Sequence, residues 1–330
     1  MSDSGPHVVR SSVLGGGVRL LVKNGWSRQA DDAMSAGGFD ALELRGGEYP
    51  DLDCLIAHGS AIRSLILECE VGDASALGGL GSLANLTLNA KLGKGFNFTS
   101  LKSLTFANFN AWQPHLASSL FHSPTLRVLR IEGYDVVDCH AFGGLRSLER
   151  LTLAKGKLKS TAGLSHCPRL RALDFAHLRH LKDISELGGC EHLRELELSE
   201  ALPSLTDVSA IFKLSLFRRL DLRGVKGTFE DIAWLRRFRE LHVLGIANVE
   251  PVDWDSLLAS PVLKKLFVRF EKAPGLSPVQ VREIALARGF GVTDVQALGN
   301  PKKPLGFVLE FRPAGSNQNL WYWDDAKTVR

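Results

Sequence analysis

The chain has 330 residues, of which 45% are hydrophobic and 23% charged, with a formal net charge of +4. This composition excludes a wholly disordered chain, and no run of about 18 apolar residues is present to form a membrane-spanning helix. Leucine is the outlier, with 54 residues against two Met and three Tyr.

Residues 1–16 carry no periodic apolar pattern, and no basic start followed by an apolar run. They read as a flexible N-terminus and not as a secretory signal. Residues 17–38 open with Gly-Val-Arg-Leu-Leu-Val, whose Leu20 and Val22 stand 22 residues before Leu42 and Leu44. They read as a degenerate first strand with its return segment, an N-terminal cap.

Across residues 39–271 the pattern Leu-x-x-Leu-x-Leu recurs, with Ile, Val or Phe allowed. It starts at Phe39, Ile62, Leu83, Leu101, Leu126, Leu148, Leu170, Leu193, Phe217, Leu241 and Leu263, a mean period of about 22. Alternation within Leu-x-Leu is the period of a strand. A second motif, Asp-apolar-small-x-Leu, keeps phase with it. Asp73, Asp138, Asp183, Asp207, Asp231 and Asp253 each stand ten residues before the next repeat, and Ser160 takes the place before Leu170. Such an Asp is expected to act as an N-cap, its side-chain oxygen accepting an orphan backbone N–H. Each repeat is therefore a strand, a turn, and a short helix or 3₁₀ segment that returns to the next strand. One repeat cannot bury its leucines alone, so neighbours stack into a continuous core. This replaces the two domains that length alone would favour with one elongated array.

The pattern resembles the leucine-rich-repeat family, in the short class found in bacterial internalin-type and phosphatase-regulator proteins. The resemblance implies an α/β fold: a curved right-handed solenoid of about 11–13 strands. One parallel sheet would line its concave face, and short helices or 3₁₀ turns its convex face. It also implies a protein-interaction module without catalysis. One departure is clear. Where the family places Asn three residues after the last strand leucine, this chain has Glu70, Lys91, Phe109, Tyr134, Gly156, Leu178, Ala201, Val225 and Val249. Looser turns are expected, with backbone groups met by water or by neighbouring turns.

Cys167 and Cys190 occupy the site that Leu80, Leu145, Leu214 and Phe238 fill in other repeats, and Cys139 that of Ile184 and Val208. They read as core. The five cysteines include no Cys-x-x-Cys, which argues against a structural zinc site and suits reduced thiols in the cytoplasm.

Residues 272–330 read as an α+β C-terminal cap. Ser277-Pro278-Val279-Gln280 combines an N-cap, a first-turn Pro and a capping-box Gln. A helix follows from Pro278 to Arg288, then strands near Phe290–Val295 and Leu305–Phe311, with Phe307 and Leu309 in strand phase. Asp294–Leu298 repeats the capping motif. Trp321, Tyr322 and Trp323 either pack over the cap or form a second, exposed binding patch.

Function should sit on the outward strand columns. Asp174, Glu197 and Asp221 fall on three successive strands and form an acidic ladder. Like charges there repel, so either nearby Arg171, Arg194 and Arg218 or a basic partner must offset them. Arg130, Glu132 and Arg150 mark its other end, and Thr87, Thr105 and Thr152 a flat polar stretch between. Arg219, Arg223 and the aromatic Phe267 complete the expected partner-binding set. A second column is basic: Arg63, Lys102, Arg127, Arg171, Arg194, Arg218 and Lys264, with His242. Interleaved acids and missing aromatics disfavour nucleic acid there, leaving a solvated repeat edge. Gly15-Gly16-Gly17 lacks the Lys-Ser/Thr of a phosphate loop, and HExxH and GxSxG are absent. The sequence thus points to a monomeric, cytoplasmic protein-binding module with no cofactor and no membrane contact. An inhibitor or immunity protein that masks a basic enzyme is one alternative. An effector acting inside another cell is the other.

Overall fold

In the computed structural model, which describes residues 7–12, 17–200, 202–250 and 252–312, most of the Leu-x-Leu segments become parallel strands. The strands in chain order are β1 (His7–Ser12), β2 (Val18–Lys23), β3 (Ala41–Asp51), β4 (Ser64–Asp73), β5 (Asn85–Leu88), β6 (Leu92–Lys94), β7 (Phe106–Phe109) and β8 (Val128–Glu132). They continue as β9 (Arg150–Ala154), β10 (Ala172–Ala176), β11 (Glu195–Glu200), β12 (Arg219–Asp221), β13 (Val243–Val249), β14 (Lys265–Phe270), β15 (Gly291–Asn300) and β16 (Lys303–Arg312). The helices are α1 (Arg28–Ala36), α2 (Ala117–Leu120), α3 (Trp254–Leu257) and α4 (Pro278–Leu286). Two compact units emerge. One holds the described residues up to Asp135 with His140–Leu151; the other holds Val136–Cys139 and the described residues from Thr152 onward.

In the first unit, β2, β3, β4, β5, β7 and β8 pair in parallel in that order. Their inward leucines, such as Leu42, Leu44, Leu65, Leu67, Leu86 and Leu88, are fully buried, each contributing about 1.5–3 kcal/mol of hydrophobic stabilisation. Residues 7–12 are no loose tail. They form β1, antiparallel to β2 from His7↔Lys23 to Ser12↔Val18. This occupies an edge that would otherwise expose unpaired backbone groups. Arg10 fastens β1 by donating to Gly37 O at 2.6 Å and Gly38 O at 3.0 Å, just beyond α1.

The register at β7 corrects the sequence reading. Asn85 pairs with Phe106, Leu86 with Ala107, Thr87 with Asn108 and Leu88 with Phe109. The repeat therefore starts at Leu104 and not Leu101, which evens the period. Thr105 leaves the outward column, its hydroxyl donating to Ala84 O at 3.3 Å, and Ala107 turns inward. This register buries Phe109 against Phe98 and Trp112, with ring centroids 5.9 and 5.7 Å away.

In the second unit, β10 to β14 pair in parallel. β16 then adds to β14 antiparallel, and β15 to β16. Phe307 and Leu309 are buried as their phase requires. The capping box of α4 forms, with Gln280 N–H donating to Ser277 Oγ at 3.3 Å and Ser277 N–H to Gln280 Oε1 at 2.9 Å. Asp294–Leu298 is no return segment: it lies inside β15, where pairing with β16 satisfies its backbone.

The return segments are mostly 3₁₀ turns, and their Asp residues act one step earlier than an N-cap. Asp183, Asp207 and Asp231 each accept, through Oδ1, the N–H of the residue two positions on: Ser185 at 2.9 Å, Ser209 at 2.8 Å and Ala233 at 2.8 Å. The N-cap position itself falls on Ile184, Val208 and Ile232. These are two-residue Asx turns. Asp253, by contrast, caps a helix, accepting Ser256 N–H at 3.0 Å at the start of α3.

After the strands, neighbouring turns do satisfy one another. Lys159 N–H donates to Val137 O at 2.8 Å, Lys182 N–H to Lys159 O at 3.1 Å, and Gly224 N–H to Leu198 O at 2.7 Å. Asn24, Lys155, His177 and Asn248 adopt left-handed φ of 52–58°. All four stand two residues after the last inward strand side chain, the place that Gly46 and Gly133 fill with φ of 66° and 83° in other repeats.

Candidate binding face

The second unit places Asp174, Glu197, Asp221, Gly245 and Phe267 on successive rungs of the outward strand face. The acidic ladder is thus present in geometry. Its charge, however, is met inside the face. Asp221 is only 2% exposed. Arg223, two residues along the chain, donates from Nε to Oδ1 at 2.9 Å and from Nη2 to Oδ2 at 2.6 Å, a two-pronged pair. The hydrogen bond to Asp221 pushes the Arg223 guanidinium further above its already high range. Glu197 accepts from Arg219 Nε at 3.2 Å and from Ser199 Oγ at 3.3 Å. Arg219 and Arg223 are therefore counter-ions, in place of the expected Arg171, Arg194 and Arg218.

Glycine 245 makes this arrangement possible. A Cβ there would lie 2.6 Å from Asp221 Oδ1, so only Gly leaves room for the buried carboxylate. On the next rung, Phe267 stands half-buried beneath Arg223, whose guanidinium lies 4.6 Å from the ring centroid. A cation over an aromatic face is worth roughly 0.5–2 kcal/mol. Half-buried Val243 and Val308 flank Phe267, and Lys265 pairs with Glu310 at 3.4 Å. The face therefore presents an arginine–aromatic centre with apolar neighbours and a neutralised rim.

The other expected residues belong to the first unit. Arg130 is half-buried and lies 5.7 Å from the Phe106 ring centroid, a contact that follows from the corrected register. Glu132 and Arg150 are half-buried. Trp321, Tyr322 and Trp323 lie outside the described residues. Sequence reasoning missed a polar chain along this unit. Glu43, fully buried, is held by Arg19 at 2.6 Å and by Arg45. Arg45 reaches Glu68 at 2.8 Å; Asn89 donates to Glu68 at 2.7 Å, and Asn110 to Asn89 at 2.6 Å. The clue was Arg45, Glu68 and Asn89 in one post-strand column; Asn110 joins them only in the corrected register.

The cysteines form no disulfide, and burial pushes the thiols of Cys69 and Cys190 up to about 12 and that of Cys54 to about 11. Such thiols are weak nucleophiles at neutral pH. Among the described residues, no group of three His, Cys, Asp or Glu is placed to hold a metal ion, and no helix is long and apolar enough to cross a membrane.

Parallel strands with inward leucines, returning through short 3₁₀ or α-helical segments, define the leucine-rich-repeat fold, and the chain has it. An internalin, inlF, from Listeria monocytogenes is similar with a TM-score of 0.54 at 17% identity, over 76% of this chain and 80% of that one. The TDR receptor gives 0.49 at 16%, over 75% and 46%. A leucine-rich-repeat protein of Leptospira interrogans gives 0.44 at 15%, over 74% of each chain. At these identities the likeness is one of fold. No protein-family model matches the sequence, and no curated protein matches it.

Proposed function

We propose that the protein is a non-catalytic module that binds a protein partner through the outward strand face of its second unit. One observation carries this reading: Arg223 is clamped by the buried carboxylate of Asp221 and laid over half-buried Phe267. Arg and aromatic side chains dominate binding energy at protein interfaces. Here both are held before any partner arrives, which reduces the ordering cost of association. Arg219, Glu197 and Asp174 form the polar rim of this contact. Arg130, Glu132 and Arg150 of the first unit are proposed as a separate contact set. Inhibition of a basic enzyme draws on an unneutralised acidic ladder, and the Arg223 and Arg219 pairs weaken that reading. Buried thiols that form no disulfide, Cys69, Cys139 and Cys190, support a reducing, cytoplasmic setting.

The test compares capture of cellular proteins by the wild type, Phe267→Ala and Arg237→Ala, the last altering an exposed arginine on a return segment. Proteins held by the wild type and Arg237→Ala but released by Phe267→Ala are the expected result. Capture that Phe267→Ala leaves unchanged contradicts the proposal.

A further inference from the structure

The edge at which the strands of the second unit begin carries one kind of charge. The second repeat position holds Arg171, Arg194, Arg218, His242 and Lys264 on five consecutive repeats. Their backbones are in register. Arg194 N–H donates to Arg171 O at 2.8 Å, Arg218 N–H to Arg194 O at 2.7 Å, His242 N–H to Arg218 O at 2.8 Å, and Lys264 N–H to His242 O at 2.7 Å. At about 4.8 Å per strand, the five side chains form a single column about 19 Å long. Arg171, Arg218 and Lys264 are exposed; Arg194 and His242 are half-buried. Glu240 offers Arg218 a carboxylate at 3.8 Å, a loose and exposed pair.

The crowding reaches His242. Burial, then the charges of Lys264 and Arg218, hold its imidazole below the usual range, against a smaller opposing pull from Glu240. Like charges on neighbouring strands destabilise a sheet. The repeat architecture does not demand such a column. In the first unit the same backbone ladder runs through Arg63, Ala84, Thr105 and Arg127, because the register seats Thr105 there and not Lys102.

We propose that the Arg171–Arg194–Arg218–His242–Lys264 column is a docking edge for an acidic polypeptide segment. The column is linear and one residue wide, so it matches an extended chain. At about 3.3 Å per residue, about six residues would span it. The aromatic residues that adjoin it, Phe217, Phe238 and Phe311, are buried, so the bases of a nucleic acid would find no stacking surface. This edge is separate from the Phe267 face, and neither surface depends on the other.

Fluorescein-labelled decaglutamate, titrated with the full chain at low salt and followed by anisotropy, tests the proposal. Saturable binding to the wild type is expected. Arg194→Gln/Arg218→Gln should weaken it by about tenfold, while Lys213→Gln/Lys226→Gln, which alters exposed lysines outside the column, should leave it unchanged. Because Lys213, Arg218 and Lys226 are exposed and Arg194 is half-buried at the sheet edge, circular dichroism should show both variants folded. Saturating decaglutamate should also raise the His242 ring titration seen by NMR, since bound carboxylates offset Lys264 and Arg218 and add to Glu240. Absence of saturable binding overturns the proposal. So does an equal loss in the lysine variant, or tighter binding of a thymidine decamer, which would reassign the edge to nucleic acid.

Discussion

Replacing Arg223 by Met removes a charge and keeps most of the apolar stem. The consequence is set by what remains. Asp221 is left with its carboxylate 4% exposed at the side chain and without its cation. Breaking a fully buried ion pair by removing one partner costs about 3–5 kcal/mol. Here the Arg223 side chain is itself 35% exposed, so water can enter the space it leaves. A smaller loss than for a fully buried pair, about 2–3 kcal/mol, is therefore expected. Urea denaturation at neutral pH, followed by circular dichroism, measures the loss. Adding Asp221→Asn to Arg223→Met should recover part of it, because the uncompensated charge is then gone while the shape is kept. A loss below about 1 kcal/mol for Arg223→Met, with no recovery in the double variant, would place Asp221 among ordinary solvated surface groups and refute the clamp.

Three further outcomes follow from particular contacts. Gly245→Ala should destabilise the second unit and reduce partner capture together, because its Cβ would meet Asp221 Oδ1 at 2.6 Å; a variant with wild-type melting would deny that crowding. Asp207→Ala should cost about 0.5–1 kcal/mol, the lower part of the range for capping exchanges, as read by urea denaturation. Its carboxyl is held below the ordinary range by the Ser209 N–H, so the stabilisation is present above the ordinary carboxylate range and lost as pH falls through the depressed value; the variant should therefore lose less stability on acidification than the wild type. Lys155→Gly should be more stable than Lys155→Ala by about 0.5–1 kcal/mol, since both lose the same side chain, φ at Lys155 is 52°, and a left-handed non-glycine residue costs about 1–2 kcal/mol before the entropic cost of Gly is set against it; a lower melting temperature for the glycine variant would contradict this.

The inward columns were legible because every repeat states them anew: Leu173, Leu196, Leu220, Leu244 and Leu266 recur every 22–24 residues and occupy equivalent rungs. The slip at β7 arose where Leu101, Leu104, Phe106 and Phe109 all satisfy an apolar pattern. The later phase puts Ala107 where a larger apolar residue is expected, so the letters favour the earlier phase and only the regular period favours the later one. β1 was not legible, since His-Val-Val-Arg-Ser-Ser lacks alternation and gains its pairing from the free edge of β2. Asp294–Leu298 has the letters of a return segment, but pairing with β16 prevails. The rungs of the acidic ladder could be read from spacing. Its neutralisation could not, because it depends on how Arg223 folds back over Asp221 and on the space a neighbouring strand leaves at Gly245. That is a three-dimensional packing fact, although Arg at a strand exit next to an outward Asp is a signal worth weighing.

The central claim is that the second unit binds its partner through Phe267 under Arg223. The most direct measurement places a photo-crosslinking amino acid at Val243, beside Phe267 on the same face, and in a second preparation at Val279, exposed on α4. Irradiation followed by mass spectrometry compares what each site captures, with and without Phe267→Ala. A discrete protein adduct at Val243 that Phe267→Ala abolishes, and that is absent at Val279, is the expected result. An adduct at Val279 alone, or one at Val243 that persists in Phe267→Ala, would contradict it.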